Sequence, residues 1–294
     1  MRIAFTYSLT LLVLTSFGQP SEMPSEVYPL ITQYEADRGS LERFYFVQGS
    51  PERRERFTRF YTDYLTRLQQ LPFESFSTGG KVDYLMMKRI FENELTLLAQ
   101  EGKEAAQVTT LTAYANPVYD LEKKRRRGLH LKSEDVAKQL NDIKKNVQAA
   151  LQKLPQEPNV TFALANRASG IISGQQAALK SVYEFYDGYD PQFTWWVKRP
   201  YQQLDSALSK YAAQLKTKID PATRPKDDGS GIIGNPIGRD ELLRLLQLEM
   251  IPYSPEELVE IANKEFAWCD AELLKASREM GFGDNWKAAQ EKVK

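Results

Sequence analysis

Large apolar side chains recur at three- and four-residue steps along most of this chain, the spacing that turns one face of an α-helix toward a core. The clearest case runs from Pro51 to Leu71, where Phe57, Phe60, Tyr61, Tyr64, Leu65 and Leu68 form a single stripe. Upstream, Ser25 to about Tyr45 reads as a helix interrupted near Gly39. Leu71-Pro72 ends the striped helix, and Ser77-Thr78-Gly79-Gly80 turns into a third from about Lys81 to Gln100, with Val82, Leu85, Met86, Ile90 and Leu97 directed inward. Ala115-Asn116-Pro117 breaks the pattern, and Gly128 stops the basic run 123–127. Ser133 is the expected cap of the next helix, which carries Glu134 and Asp135 where the helix dipole favours acids and ends near Leu154. A helix from about Val160 to Tyr186 follows, weakened by Gly170 and Gly174. Asp190-Pro191 then opens one that carries Phe193, Trp195, Trp196, Tyr201, Leu204, Leu208, Tyr211 and Leu215, with a kink expected at Pro200. Neighbours on a helix differ by about 100°, so Trp195 and Trp196 cannot both enter one core, and one of them faces a second surface.

The segment 227–281 has the most readable punctuation. A helix should begin near Asp240 with Leu242, Leu243, Leu246 and Met250 on one face, and Pro252 ends it for want of an N–H. Ser254 can cap the next helix, with Pro255 at its first position and Glu257 reaching back to complete a capping box. Gly281 suits a left-handed stop with Phe282 behind it. A last helix spans Trp286 to Lys294. The glycines 229, 231 and 234 spell GxGxxG, but dinucleotide binding needs a buried strand before them and a helix directly after. Here a proline-broken polar run precedes and Asn235-Pro236 follows, so a structural loop or short hairpin near 229–238 is the expectation. No longer stretch alternates with period two. The fold class expected is all-α, about nine or ten helices in antiparallel pairs.

Composition narrows the picture in three places. Lys plus Arg equals Asp plus Glu at 39 each in 294 residues, which gives no global field for nucleic acid. The basic run 123–127 has no interleaved aromatics and reads as a solvated helix end. Met1-Arg2, the apolar run Ile3 to Phe17 and the small residues Ser16 and Gly18 have the layout of a secretory signal peptide (residues 1–18) cleaved before Gln19. Export to the periplasm or beyond is expected, with residues 19–294 as a single helical domain and no membrane span besides the leader. The single cysteine, Cys269, excludes an internal disulfide and reads as a buried thiol.

Candidate chemistry is sparse. One histidine, His130, supports neither a helical histidine pair for zinc nor a triad built on two histidines. There is no G-x-S-x-G, P-loop or CxxC. Two long phrases, RFYFVQGSPERRERFTRFYTDYLTRLQQLPFESFSTGGKVDYLMMKRIFENEL and GSGIIGNPIGRDELLRLLQLEMIPYSPEELVEIANKEFAWCDAELLKASREMGFGDNW, resemble the N-terminal part of the bacterial domain of unknown function 885 family. The wording of Gly238-Arg239-Asp240-Glu241-Leu242-Leu243 and of Tyr253-Ser254-Pro255-Glu256-Glu257-Leu258 is the most specific. The resemblance implies an all-helical, gluzincin-type zinc peptidase roughly twice this length. Its His-Glu and Pro-Gly-His motifs would lie in a C-terminal half absent from this sequence, so no position here matches a metal ligand. It thus implies zinc for the longer protein, a peptide substrate, and this chain as one wall of the cleft. On that view Arg239, Tyr253 and Trp196 are the candidate substrate contacts: a donor for a carboxylate, a phenol and an apolar platform. The competing expectation is a non-enzymatic helical module that binds a peptide, glycan or protein through the tryptophan surface.

Overall fold

The computed structural model describes residues 25–294 apart from Ala115, Asp228 and Asn235, so the leader expected at 1–18 lies outside the described residues. Ten α-helices account for nearly all of the structure: α1 (Tyr28–Phe44), α2 (Pro51–Gln69), α3 (Thr78–Gln107), α4 (Asn116–Arg126), α5 (Ser133–Lys153), α6 (Phe162–Tyr186), α7 (Pro191–Thr217), α8 (Arg239–Leu248), α9 (Pro255–Glu279) and α10 (Trp286–Val293). The chain is all-α. Among the described residues the only β pairing is a parallel bridge between Val160 and Ile219, which ties the start of α6 to the end of α7.

Two hydrophobic clusters form the interior. The first is built by α1, α2 and α3 around an aromatic knot. Tyr34 lies 5.7 Å from Phe60, 5.5 Å from Tyr64 and 5.1 Å from Phe91 between ring centroids, within the range of favourable edge and offset contacts. Five residues of the α2 stripe, Phe57, Phe60, Tyr61, Tyr64 and Leu68, are buried here. Tyr64 donates to Asp37 at 2.6 Å, and burial with that carboxylate pushes its phenol up to about 12.

The second cluster belongs to α4–α7. Lys144, midway along α5, donates to Gln203, midway along α7, at 2.6 Å. Lys218 just after α7 donates to the Pro155 carbonyl just after α5. α5 and α7 therefore lie side by side and parallel, and α6 returns the chain between their ends. Gly174 is needed in α6 because a Cβ there would sit 2.9 Å from the Gln48 carbonyl of the α1–α2 connection. The glycine that weakens the helix on paper thus permits the contact that joins the two halves.

An ion-pair network staples the clusters. Arg126 at the end of α4 donates to both oxygens of Glu122 (3.1 and 3.2 Å) and to Glu52 of α2 (2.5 Å), while Lys123 and Arg127 also reach Glu52. Burial alone would raise the Glu52 carboxyl, but the Arg126 and Lys123 hydrogen bonds outweigh it and hold it below the usual carboxylate range. Glu122 goes the other way, raised by burial against the opposing arginines. A depressed carboxyl contributes stability above its unfolded pKa and loses it as pH falls through the folded one. Glu52→Gln is therefore expected to flatten the acid limb of the stability–pH profile, read as denaturant midpoints between about pH 7 and about pH 3. An unchanged acid limb would show that Glu52 carries none of that dependence.

Several sequence expectations need correcting. α1 runs through Gly39 without interruption, since one helical glycine costs only about 1 kcal/mol and the buried Tyr34 holds the helix in place. α3 begins at Thr78, capped by Ser77, and its buried residues are Met87, Phe91 and Leu98, whereas Val82, Leu85, Met86, Ile90 and Leu97 are exposed. α3 carries apolar residues on two faces, and period alone does not say which one meets α2. Ser133 is the first residue of α5 and makes no cap bond. The basic run is not simply solvated, because the Arg126 side chain is only 7% exposed. Cys269 is exposed rather than a core thiol. α8 stops at Leu248, and Met250, expected on its inner face, instead takes the left-handed conformation at φ 56°.

Candidate functional site

The surface that the internal packing leaves unexplained is made by α3, α8 and α9. α9 forms because its start is doubly satisfied: the Ser254 hydroxyl accepts from the Glu257 N–H at 3.2 Å, and the Glu257 carboxylate accepts from the Ser254 N–H at 2.7 Å. It ends where Gly281 adopts φ 84° and the Phe282 N–H donates back to the Ser277 carbonyl. Between those caps, 25 residues contribute one buried side chain, Ser277. Val259, Phe266, Leu273 and Met280 recur every seven residues and are exposed, Phe266 by 69%. Ala262, Cys269 and Ala276 stand three residues after the first three of them. This is a three-heptad a/d seam with small residues at the second position, a shape that receives another helix closely.

α8 is held to α3 by Arg244, which donates to Asn93 at 2.5 Å and to Glu241 at 2.6 and 2.8 Å. Between the two helices opens a cavity of about 450 Å³ lined by Met86, Arg89, Ile90, Asn93, Leu248 and Met250 among others. The outward face of α3, misassigned from the sequence as core, is thus one wall of a partly apolar recess whose rim includes the left-handed Met250.

Arg239 sits at the first position of α8 and forms a bidentate pair with Glu256 of α9 (one bond at 3.0 Å), which raises its pKa further and lowers that of Glu256. A ligand carboxylate would have to displace Glu256 to reach it. Tyr253, in the connection between α8 and α9, is exposed. Trp196 is not brought to them: it is partly exposed on α7, whose packing partners are α5 and α6. Trp195, its neighbour, is 83% exposed, so neither indole enters the core. The Gly-rich loop has no strand among its described residues. The Asp227 carboxylate accepts from the Gly229 and Gly231 N–H groups, at 2.9 and 3.0 Å, which occupies the very amides a phosphate would need. Among the described residues no group of three or more His, Cys, Asp or Glu is placed to hold a metal ion.

The family model described as Bacterial protein of unknown function (DUF885) matches residues 45–294. The chain belongs to that family. No curated protein and no solved structure matches it. The DUF885 match covers α2 to α10 and so includes the whole α3–α8–α9 surface. The α9 seam was not among the sequence expectations, although its seven-residue repeat is legible, because its residues also obey the three- and four-residue steps of an ordinary core-facing helix.

Proposed function

We propose that this chain is the N-terminal helical portion of an exported, zinc-metallopeptidase-like protein acting on peptides, and that α3, α8 and α9 are the face on which the rest of the polypeptide docks. The observation that carries this reading is the exposed heptad seam of α9, an apolar stripe of coiled-coil form that stays open although α10 packs on the same helix. Membership of DUF885 and the resemblance to the N-terminal part of longer members support it. Zinc does not fit this chain: the described residues offer no ligand cluster, so its ligands would come from the docked polypeptide and no step is assigned to it here. Arg239 and Tyr253 then stand near the seam as substrate or interface groups, with Trp196 outside it.

The test is the intact mass and C-terminal peptide map of the native gene product. A mass near twice 33.7 kDa, with a His-Glu motif beyond Lys294, is expected. A native product at or just below 33.7 kDa would overturn the reading and leave a helical binding protein.

A further inference from the structure

Two adjoining recesses run along α5 and α7. One, of about 710 Å³, is lined by Lys144, Gln148, Arg199, Gln202, Gln203 and Lys210 among others. The other, of about 780 Å³, shares Arg199 and Gln202 and adds Lys198 and Trp195. Because Arg199 and Gln202 belong to both, they form one groove. From Trp195 to Lys210 it follows about 22 Å of helix.

Its composition departs from that of the chain. The protein is electrically balanced, yet the groove lining holds four cations and no carboxylate. None of the four is ion-paired among the described residues; Lys144 donates only to the amide oxygens of Asn141 and Gln203. Asp205, the nearest acid on α7 in sequence, is turned away and accepts from Gln176 of α6 at 2.8 Å. A lining of one sign concentrates field and recruits the opposite charge. Three glutamines supply paired donors and acceptors along the same line, the inventory that matches hydroxyl groups. At one end the Trp195 indole stands open beside Gly188 and Pro191. Aromatic faces are electron-rich and attract the polarised C–H groups of a sugar ring.

We infer that the α5–α7 groove binds an acidic polysaccharide, a chain of uronic-acid type whose carboxylates meet Lys198, Arg199 and Lys210 and one of whose rings stacks on Trp195. A peptide anchor would bury a side chain in a pocket, and this groove offers instead an open flat ring and a row of amides. The site is separate from the α8–α9 face and stands or falls independently of the docking proposed there.

The test is calorimetric binding of an oligogalacturonate to the 294-residue chain, with a neutral cello-oligosaccharide and a poly-glutamate peptide as comparison probes. Binding to the oligogalacturonate alone is expected, weakening as salt rises. Lys198→Ala/Arg199→Ala is expected to weaken it by about tenfold or more, Trp195→Ala by about fivefold, and Lys275→Ala on α9 not at all. All these side chains are exposed, so unchanged thermal melts should accompany the losses. Equal or tighter binding of poly-glutamate, indifference to Trp195→Ala, or no binding of the oligogalacturonate would each overturn the assignment.

Discussion

Arg126→Ala is expected to lower the unfolding free energy by about 3–5 kcal/mol, the cost of breaking a buried ion pair from one side. The Arg126 guanidinium satisfies Glu122, which is nearly inaccessible, and Glu52, and it also lies 4.5 Å from the Phe44 ring centroid and 4.7 Å from that of Tyr45. Truncation removes the counter-charge but leaves the Glu122 carboxylate buried with only Arg125 beside it, at 3.3 Å. It also removes the shortest of the links between α4 and α2, leaving Lys123 and Arg127 on Glu52, and so loosens the junction of the two clusters. Arg126→Met combined with Glu122→Leu should recover most of the loss, because the buried carboxylate is removed together with its counter-charge and Arg125 keeps its bond to the Ser181 hydroxyl. Urea unfolding of the two variants checks this. A loss below about 1 kcal/mol for Arg126→Ala would mean that water reaches the network as readily as a surface pair.

The second expectation concerns the α9 seam. Phe266→Glu/Leu273→Glu is expected to leave the melting of the 294-residue chain within about 0.5 kcal/mol of its parent, because both side chains are exposed and glutamate is a good helix former. The same pair should cut the binding of a hydrophobic dye severalfold and suppress self-association. Two buried aromatic or aliphatic residues of this size, by contrast, would cost about 3–5 kcal/mol each on loss. In the longer polypeptide proposed above, where another helix would cover the seam, the double variant is expected to unfold or to lose the docked half. Cooperative destabilisation of the 294-residue chain itself would show that the seam is already internal, and would remove the support for a docking face.

How much of this was legible beforehand differs from element to element. The α2 stripe was read correctly, because its aromatic residues crowd one side and leave the other uniformly polar. The α9 caps were read to the residue, since a capping box is a local arrangement within four positions and needs no tertiary partner. Arg239, Tyr253 and Trp196 were grouped on chemistry alone; Arg239 is held by Glu256, Tyr253 lies exposed in the α8–α9 connection, and Trp196 is on α7, which packs on α5 and α6. The α3 face was inverted. Val82, Leu85, Met86, Ile90 and Leu97 obey the helical period as well as Met87, Phe91 and Leu98 do, and only the knot around Tyr34 selects the second set. The groove was invisible, because Lys144 and Gln148 lie about fifty residues from Lys198 and Arg199 and converge only through parallel packing of α5 on α7.

The sequence by itself determined the helices, the caps of α9 and the family, all of which rest on interactions between residues a few positions apart or on a recognisable wording. The tertiary structure alone decided which of two apolar faces is core, that Arg126 is buried while Arg127 is not, that Cys269 is exposed, and where unpaired cations line up. The reason is physical. A helix is stabilised by contacts along the chain, whereas burial and the pairing of charges depend on which distant segment arrives against it, and period carries no record of that partner.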